Sequence, residues 1–322
     1  MDLKRTSLIA RTLTTRVALV VFCVACSQCA GTSPTGPSNP GPNPPPTTPT
    51  PTPVPPPFFA PQVFAGAGDI AICGGSGNQD ATARLLESIG GTIFTLGDNA
   101  YMEGTMRQYR ECYDPAWGRL RGRTRPTPGN HEYATPNASG YYEYFGGQAG
   151  TSGLGYYSFD LGAWHIVSLN SEIATGATSP QYFWLQDDLQ ENTLNCTLAY
   201  WHKPLFTSGP NGENPHMRAI WRLLYDHGAE IVLSGHDHLY ERFAAQDADG
   251  RFDRDKGIVE FIVGTGGVPL YPFLAARPNS EMRISDSHGI LKLTLSMNAY
   301  DYEFITIPGS KSRGDSGRGV CH

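Results

Sequence analysis

The chain lacks any surplus of positive charge: 24 Lys and Arg face 30 Asp and Glu, giving a net charge of −6 and a pI near 5.8. A global basic field that draws in nucleic acid is therefore excluded, and no nucleic-acid-binding signal is found. A small phosphorylated substrate is not excluded, because local metal charge outweighs a mildly acidic surface. Long apolar runs are also missing. Near the amino terminus Val17–Ala25 is a run of nine residues, whereas a membrane-spanning helix needs roughly 20. There is no internal repeat and no motif presenting a Ser or Cys nucleophile. Solenoids and covalent Ser or Cys hydrolases drop out with them.

What is present divides the chain. Lys4, Arg5, Arg11 and Arg16 precede the short apolar run, the pattern of an export signal over residues 1–30. Two fates follow from it: cleavage near Ala30, or lipidation at Cys26, which would anchor the chain to a membrane. Cys23 stands where a lipoprotein signal usually carries Leu; a tethered enzyme, on the other side, needs a spacer. Residues 31–61 provide one, with 14 of the 26 prolines among Thr, Ser, Gly and Asn. Residues 62–309 carry the apolar patterning of a single domain, and 310–322 form a polar, glycine-rich tail that orders if Cys321 ties it down. Cys73, Cys112, Cys196 and Cys321 are an even set, as disulfides in an exported protein require. Of three pairings, Cys73–Cys112 with Cys196–Cys321 is favoured, since the first would brace two loops that follow ligand-bearing strands. A metal role for Cys73 is the rival, weighed against the hard oxygen and imidazole character of its neighbours.

Strands are expected at Val63–Ala67, Thr92–Leu96, Tyr156–Asp160, Trp164–Asn170, Thr197–Trp201, Glu230–Leu233, Ile258–Val263 and Ile290–Leu295. Helices are expected from Asp80 to Ile89, from Ser179-Pro180 to about Gln190, and from Asn214-Pro215 to Gly228. The alternation indicates an α/β domain, and the helix-free run of late strands points to a mixed sheet.

Five segments share one design, an apolar run ending in a glycine or turn and then metal-ligating side chains. They end in Asp69, in Asp98 and Tyr101, in Asn130 with His131, in His202, and in His236 and His238. Carboxyl ends of strands in an α/β sheet open onto one crevice, and small residues before each ligand let the backbone crowd an ion. Taken singly, an Asp after a strand is usually a turn residue and a His a hydrogen-bonded core residue. Five endings in a fixed order defeat that reading.

The ordered set Asp69, Gly97-Asp98-x-x-Tyr101, Gly129-Asn130-His131-Glu132, His202 and Gly235-His236-x-His238 resembles the calcineurin-like metallophosphoesterases. Tyr101, the run His238-Leu-Tyr-Glu241-Arg242 and Gly264-Thr-Gly-Gly267 are similar to the purple acid phosphatase branch. The first motif departs from the family, with Ala71 where Gly is usual. The resemblance implies a four-layer sandwich, two mixed β-sheets flanked by helices. It implies a binuclear centre, with Fe(3+) on Asp69, Asp98, Tyr101 and His238, and a divalent Zn, Mn or Fe on Asp98, Asn130, His202 and His236. The implied activity is phosphate monoester hydrolysis by a metal-bound hydroxide, outside the cytoplasm, as secreted, periplasmic or lipid-anchored protein. His131 is expected just outside the metals, able to bind phosphate or protonate the leaving oxygen, and His216 is a second catalytic candidate at a helix start that favours anions. Glu241 and Arg242 are expected to brace the histidine loop. The remaining histidines are read as structural or surface, and Asp247–Asp255 as a hairpin turn rather than a calcium loop. A phosphodiesterase or nucleotidase on the same centre is the nearest alternative, with a non-catalytic binding protein and an iron redox protein further off.

Overall fold

A computed structural model describes residues 59–322 and Gly36. The expected signal, the Cys26 and Ala30 processing points and most of the proline-rich spacer lie outside the described residues. No helix among the described residues is long and apolar enough to cross a membrane.

The strands are β1 (Gln62–Ala67), β2 (Thr92–Leu96), β3 (Thr124–Thr127), β4 (Tyr157–Leu161), β5 (Trp164–Ser168), β6 (Cys196–Tyr200) and β7 (Ile231–Ser234). They continue with β8 (Tyr240–Phe243), β9 (Val259–Val263), β10 (Ser280–Ile284), β11 (Gly289–Leu295), β12 (Ala299–Thr306) and β13 (Asp315–Val320). They form two mixed sheets, ordered β13-β12-β11-β1-β2-β3 and β10-β8-β9-β7-β6-β5-β4. The parallel strands sit together, β1 with β2 and β3 in one sheet and β5, β6, β7 and β9 in the other.

Side chains alternate across a strand, and here both faces are apolar. Ile166, Leu198, Leu233 and Phe261 of the second sheet join Phe64, Phe94, Leu291 and Leu293 of the first in one buried cluster. Their neighbours Val167, Ala199, Val232 and Ile262 turn the other way, against Leu185, Ile220, Trp221 and Leu224 of helices Pro180–Glu191 and Arg218–Asp226. This two-sided burial is why the central strands read as continuous apolar runs. The first of those helices opens as expected: the Tyr182 N–H donates to Ser179 Oγ at 3.2 Å, and Pro180 occupies the first turn. The second is shorter than expected, because Pro215–Met217 form a 3₁₀ turn before the α-helix begins at Arg218.

The carboxyl terminus differs from the expectation of a separate polar tail. Residues 315–320 are the edge strand β13, paired antiparallel to β12. Its glycines lie under aromatic rings: a Cβ on Gly317 would come within 2.4 Å of Tyr302 Oη, and one on Gly319 within 2.2 Å of Tyr300 Cζ. The rings cover what the glycines cannot. Both disulfides join the favoured partners, Cys73 to Cys112 and Cys196 to Cys321, with Cα separations of 5.1 and 5.6 Å.

One buried histidine carries a pH dependence. His165 bridges Asp160 at 3.0 Å and Asp188 at 2.9 Å, clamping the β4–β5 hairpin to helix Pro180–Glu191. Desolvation opposes the charged ring, but the hydrogen bonds and charges of Asp188 and Asp160 prevail and raise its pKa. The clamp therefore contributes fully below the unfolded-state value of about 6.5 and fades as pH rises through the raised folded value. We expect His165→Gln to cost about 1–2 kcal/mol in acid and less in alkali, discounted for the exposed Asp160. Urea midpoints of both proteins across pH test this; a gap that widens toward alkali would contradict it.

Candidate metal centre

The site forms at the carboxyl ends of five strands, three from one sheet and two from the other. β1 leads through Gly68 to Asp69, β2 through Gly97 to Asp98, and β3 through Pro128-Gly129 to Asn130. In the second sheet β6 leads to His202 and β7 to His236 and His238. Ladder bonds continue past the strand ends: the Asp69 N–H reaches Gly97 O at 3.1 Å, and the Gly235 N–H reaches His202 O at 2.9 Å. Across the sheets, the His236 N–H donates to Asp69 Oδ2 at 2.8 Å. Ala71 is accommodated without disruption, fully buried and in a parallel bridge with Ala100.

The turns that aim the ligands are strained. Asp69, Asp98 and His236 hold φ of 58°, 49° and 71°, a left-handed backbone that non-glycine residues seldom adopt. Close approach leaves no room for side chains beside them: a Cβ on Gly129 would sit 2.3 Å from Asp98 Oδ1.

Two overlapping groups share one oxygen, Asp98 Oδ2. Tyr101 Oη lies 3.0 Å from it, 2.8 Å from Asp69 Oδ1 and 3.2 Å from His238 Nε2. On the other side His202 Nε2 lies 3.2 Å from Asp98 Oδ2, 3.1 Å from Asn130 Oδ1 and 3.2 Å from His236 Nδ1. Asp98, His202 and His236 alone offer three ligand atoms within 4.8 Å of one another. All seven expected residues thus meet around one point.

The hydrogen-bond roles fit a cation there. His202 Nδ1 donates to Leu96 O at 2.7 Å and His238 Nδ1 to Pro269 O at 2.8 Å. With Nδ1 carrying one proton, each ring turns Nε2 inward, where a second proton or a cation can bind. His202 Nε2 faces a carboxylate oxygen, an amide oxygen and another imidazole nitrogen. Titration tells the same story. Burial opposes charge on His202, yet Asp98 and Asp69 hold its pKa up at about 10. Burial and the His202 charge push His236 down to about 3. Burial, Asp69 and Asp98 push the Tyr101 phenol well above its ordinary value. The protein groups alone carry negative charge that a proton or a metal cation must balance. Phenolate, carboxylate and imidazole on one side and amide, carboxylate and two imidazoles on the other are donors that suit hard and borderline ions.

His131 lies beside this cluster. Its ring packs on Tyr101 with centroids 4.3 Å apart, Nδ1 bonds to Met102 O at 2.5 Å, and Nε2 stands 3.7 Å from Asp98 Oδ2. His216 is elsewhere: it is exposed on the wall of a neighbouring cleft, and none of its hydrogen bonds among the described residues reaches the seven. Cys73 is in a disulfide and so is no ligand.

The sequence pattern of the calcineurin-like phosphoesterases matches residues 63–240, from β1 through the last of these histidines. The chain belongs to that family. Among curated proteins, Arabidopsis thaliana purple acid phosphatase 15 is 29% identical over 62% of this chain and 45% of its own length. Purple acid phosphatase 23 of the same plant is 38% identical over 41% of this chain and 34% of its own. This phosphoesterase chain therefore spans about half or less of the length of the curated relatives it matches. Among solved structures, a purple acid phosphatase from yellow lupin (Lupinus luteus) seeds superposes with a TM-score of 0.70 at 18% identity, covering 81% of this chain and 54% of that one. The shared fold is the two-sheet metallophosphoesterase sandwich.

Around the candidate centre the structure reveals supports that sequence reasoning left without roles. Glu132 is fully buried and accepts from the N–H groups of Asp98, Asn99 and Gly129 and from the Tyr109 hydroxyl. Asp237, between the two loop histidines, accepts from Thr207 at 2.6 Å and from the Asn211 N–H at 2.9 Å. Tyr271 stacks on His238, with centroids 4.0 Å apart and planes 12° from parallel. Glu241, which did have an expected role as a brace of the histidine loop, accepts from the Ser208 N–H and the Ser280 hydroxyl. Arg242 does not brace the histidine loop as expected; it pairs with Asp315 at 2.8 Å and with Glu281, fastening β13.

Proposed function

We propose that the protein hydrolyses phosphate monoesters at a pair of metal ions, in the manner of a purple acid phosphatase. The observation that supports this above all others is the convergence of seven donors with lone pairs inward about Asp98 Oδ2. Asp69, Asp98, Tyr101 and His238 would hold one ion, suited to Fe(3+). Asp98, Asn130, His202 and His236 would hold a divalent Zn, Mn or Fe. When bound, such a pair supplies Lewis-acid stabilisation of phosphoryl oxygens and a more acidic water.

The chain's own residues do the rest. Glu132 and the Leu96 and Pro269 carbonyls fix the ligands before substrate arrives, so little reorganisation is needed during reaction. His131 is held by Met102 O through Nδ1, is part exposed and has Nε2 3.7 Å from Asp98 Oδ2, which supports a role beside the leaving oxygen. In the overall reaction water's oxygen bonds to phosphorus, the ester P–O bond breaks, and the departing alkoxide takes a proton, which His131 would donate in this reading. Two disulfides support a location outside the cytoplasm.

The test combines metal analysis, a visible spectrum and ester hydrolysis. Purified protein should hold about two metal ions per chain, show a visible tyrosinate-to-iron band when oxidised, and cleave a monoester faster than a diester. Tyr101→Phe should lose the band while staying folded. Colourless, metal-poor protein that cleaves neither ester would end the proposal.

A further inference from the structure

An open cleft of about 950 Å³ adjoins the candidate centre and belongs to none of the ligand groups. It begins at Lys203, which directly follows His202, and its walls include Glu172 and His216. Lys203 is fixed at the junction by an ion pair to Glu172 at 2.6 Å and by its N–H, which donates to Ser171 Oγ at 3.1 Å.

Two chemistries share the cleft. Ile173, Ala174, Pro215 and Ala219 supply apolar surface. Arg218 and Arg222 supply charge that is under-compensated. Both lean on Asp249 Oδ1, at 3.1 and 3.2 Å, while Arg251 takes Asp249 Oδ2 at 3.1 Å. Asp247 Oδ2 also stands 3.5 Å from Arg251, so two carboxylates serve three guanidiniums and leave positive charge in a chain whose net charge is −6. The volume suits an organic ligand rather than phosphate alone.

We propose that this cleft is the leaving-group subsite, and that it selects phosphate monoesters whose alcohol is bulky, partly apolar and itself anionic, as in a nucleoside bisphosphate. The inference rests on the proposed phosphatase reading. The scissile phosphate occupies the metal centre, the apolar body lies along Ile173 and Ala219, and the second anion meets Arg222. His216 contributes to this wall as a specificity residue and not as a proton donor.

Three esters separate size from charge: phenyl phosphate, naphthyl phosphate and a sulfonated naphthyl phosphate. In the wild type kcat/KM should rise along that series. Arg222→Glu should erase the sulfonate advantage, about tenfold and mostly through KM. Ala219→Trp should erase the naphthyl advantage by filling the floor. Both variants should leave phenyl phosphate within about twofold of wild type. Equal kcat/KM for the three esters in the wild type, or variants that slow all three alike, would overturn the subsite. If the wild type cleaves no ester, the phosphatase reading fails separately, and the cleft is judged by calorimetric binding of the naphthol sulfonate. Binding lost in Arg222→Glu upholds the cleft, and absence of binding to wild type overturns it.

Discussion

Asp98→Asn should lower kcat for monoester hydrolysis by about 10²–10³-fold while the protein stays folded. Asp98 Oδ2 is the one atom common to both donor groups, 3.0 Å from Tyr101 Oη and 3.2 Å from His202 Nε2. The second oxygen accepts from the His131 N–H at 2.9 Å. An asparagine keeps the shape but must either turn an N–H toward His202 Nε2 and Tyr101 or surrender the His131 bond. Either orientation removes the negative charge shared between the groups. Burial resists ionisation of Asp98, yet the charges of His202 and His131 hold its pKa well below the usual carboxylate range, so the residue it loses is an anion. Metal content should fall together with activity. A variant with wild-type metal stoichiometry and wild-type kcat would show that Asp98 is not shared.

The strand endings that build this centre were legible because each carries its own punctuation. β1, β2 and β7 end in Gly68-Asp69, Gly97-Asp98 and Gly235-His236, and the order of those endings carried the family resemblance. The backbone that aims them was barely legible: Asp and His adopt positive φ more readily than most residues, but that weak preference does not single out Asp69, Asp98 and His236. Glu132 stood inside a quoted motif, yet its role depends on which distant N–H groups point at it, a tertiary fact. β13 was missed because Asp-Ser-Gly-Arg-Gly-Val has no apolar period; its partners are the rings of Tyr300 and Tyr302 on β12. β8 was read only as part of a histidine loop, although Tyr240 stacks on Phe304 at 4.1 Å and closes the space between the sheets. His216 was expected near the metals from its place between His202 and His236 and from the helix start beside it. In the structure the Thr175 hydroxyl donates to the His216 carbonyl at 2.8 Å, and the residue lines the cleft beside Lys203.

Glu132→Ala should destabilise the fold by roughly 3–5 kcal/mol and disable the centre without touching any proposed ligand. Its carboxylate takes the Asp98 and Gly129 N–H groups at 2.9 and 2.7 Å on one oxygen. The other takes the Asn99 N–H at 2.8 Å and the Tyr109 hydroxyl at 3.0 Å. These donors come from the loops that present Asp98 and Asn130, so one side chain sets the spacing between ligands from β2 and β3. Burial and the Asp98 charge push its pKa up to about 7, even though the backbone donors and His202 favour the anion. Alanine leaves every donor stranded in a dry interior, each costing about 1–3 kcal/mol if nothing relaxes. Glutamine fills the volume but must point an amide N–H at an N–H, so it should rescue little. Urea unfolding, metal content and kcat of both variants form the test. An alanine variant as stable as wild type, still binding its metals, would mean that the two loops hold their register without this carboxylate.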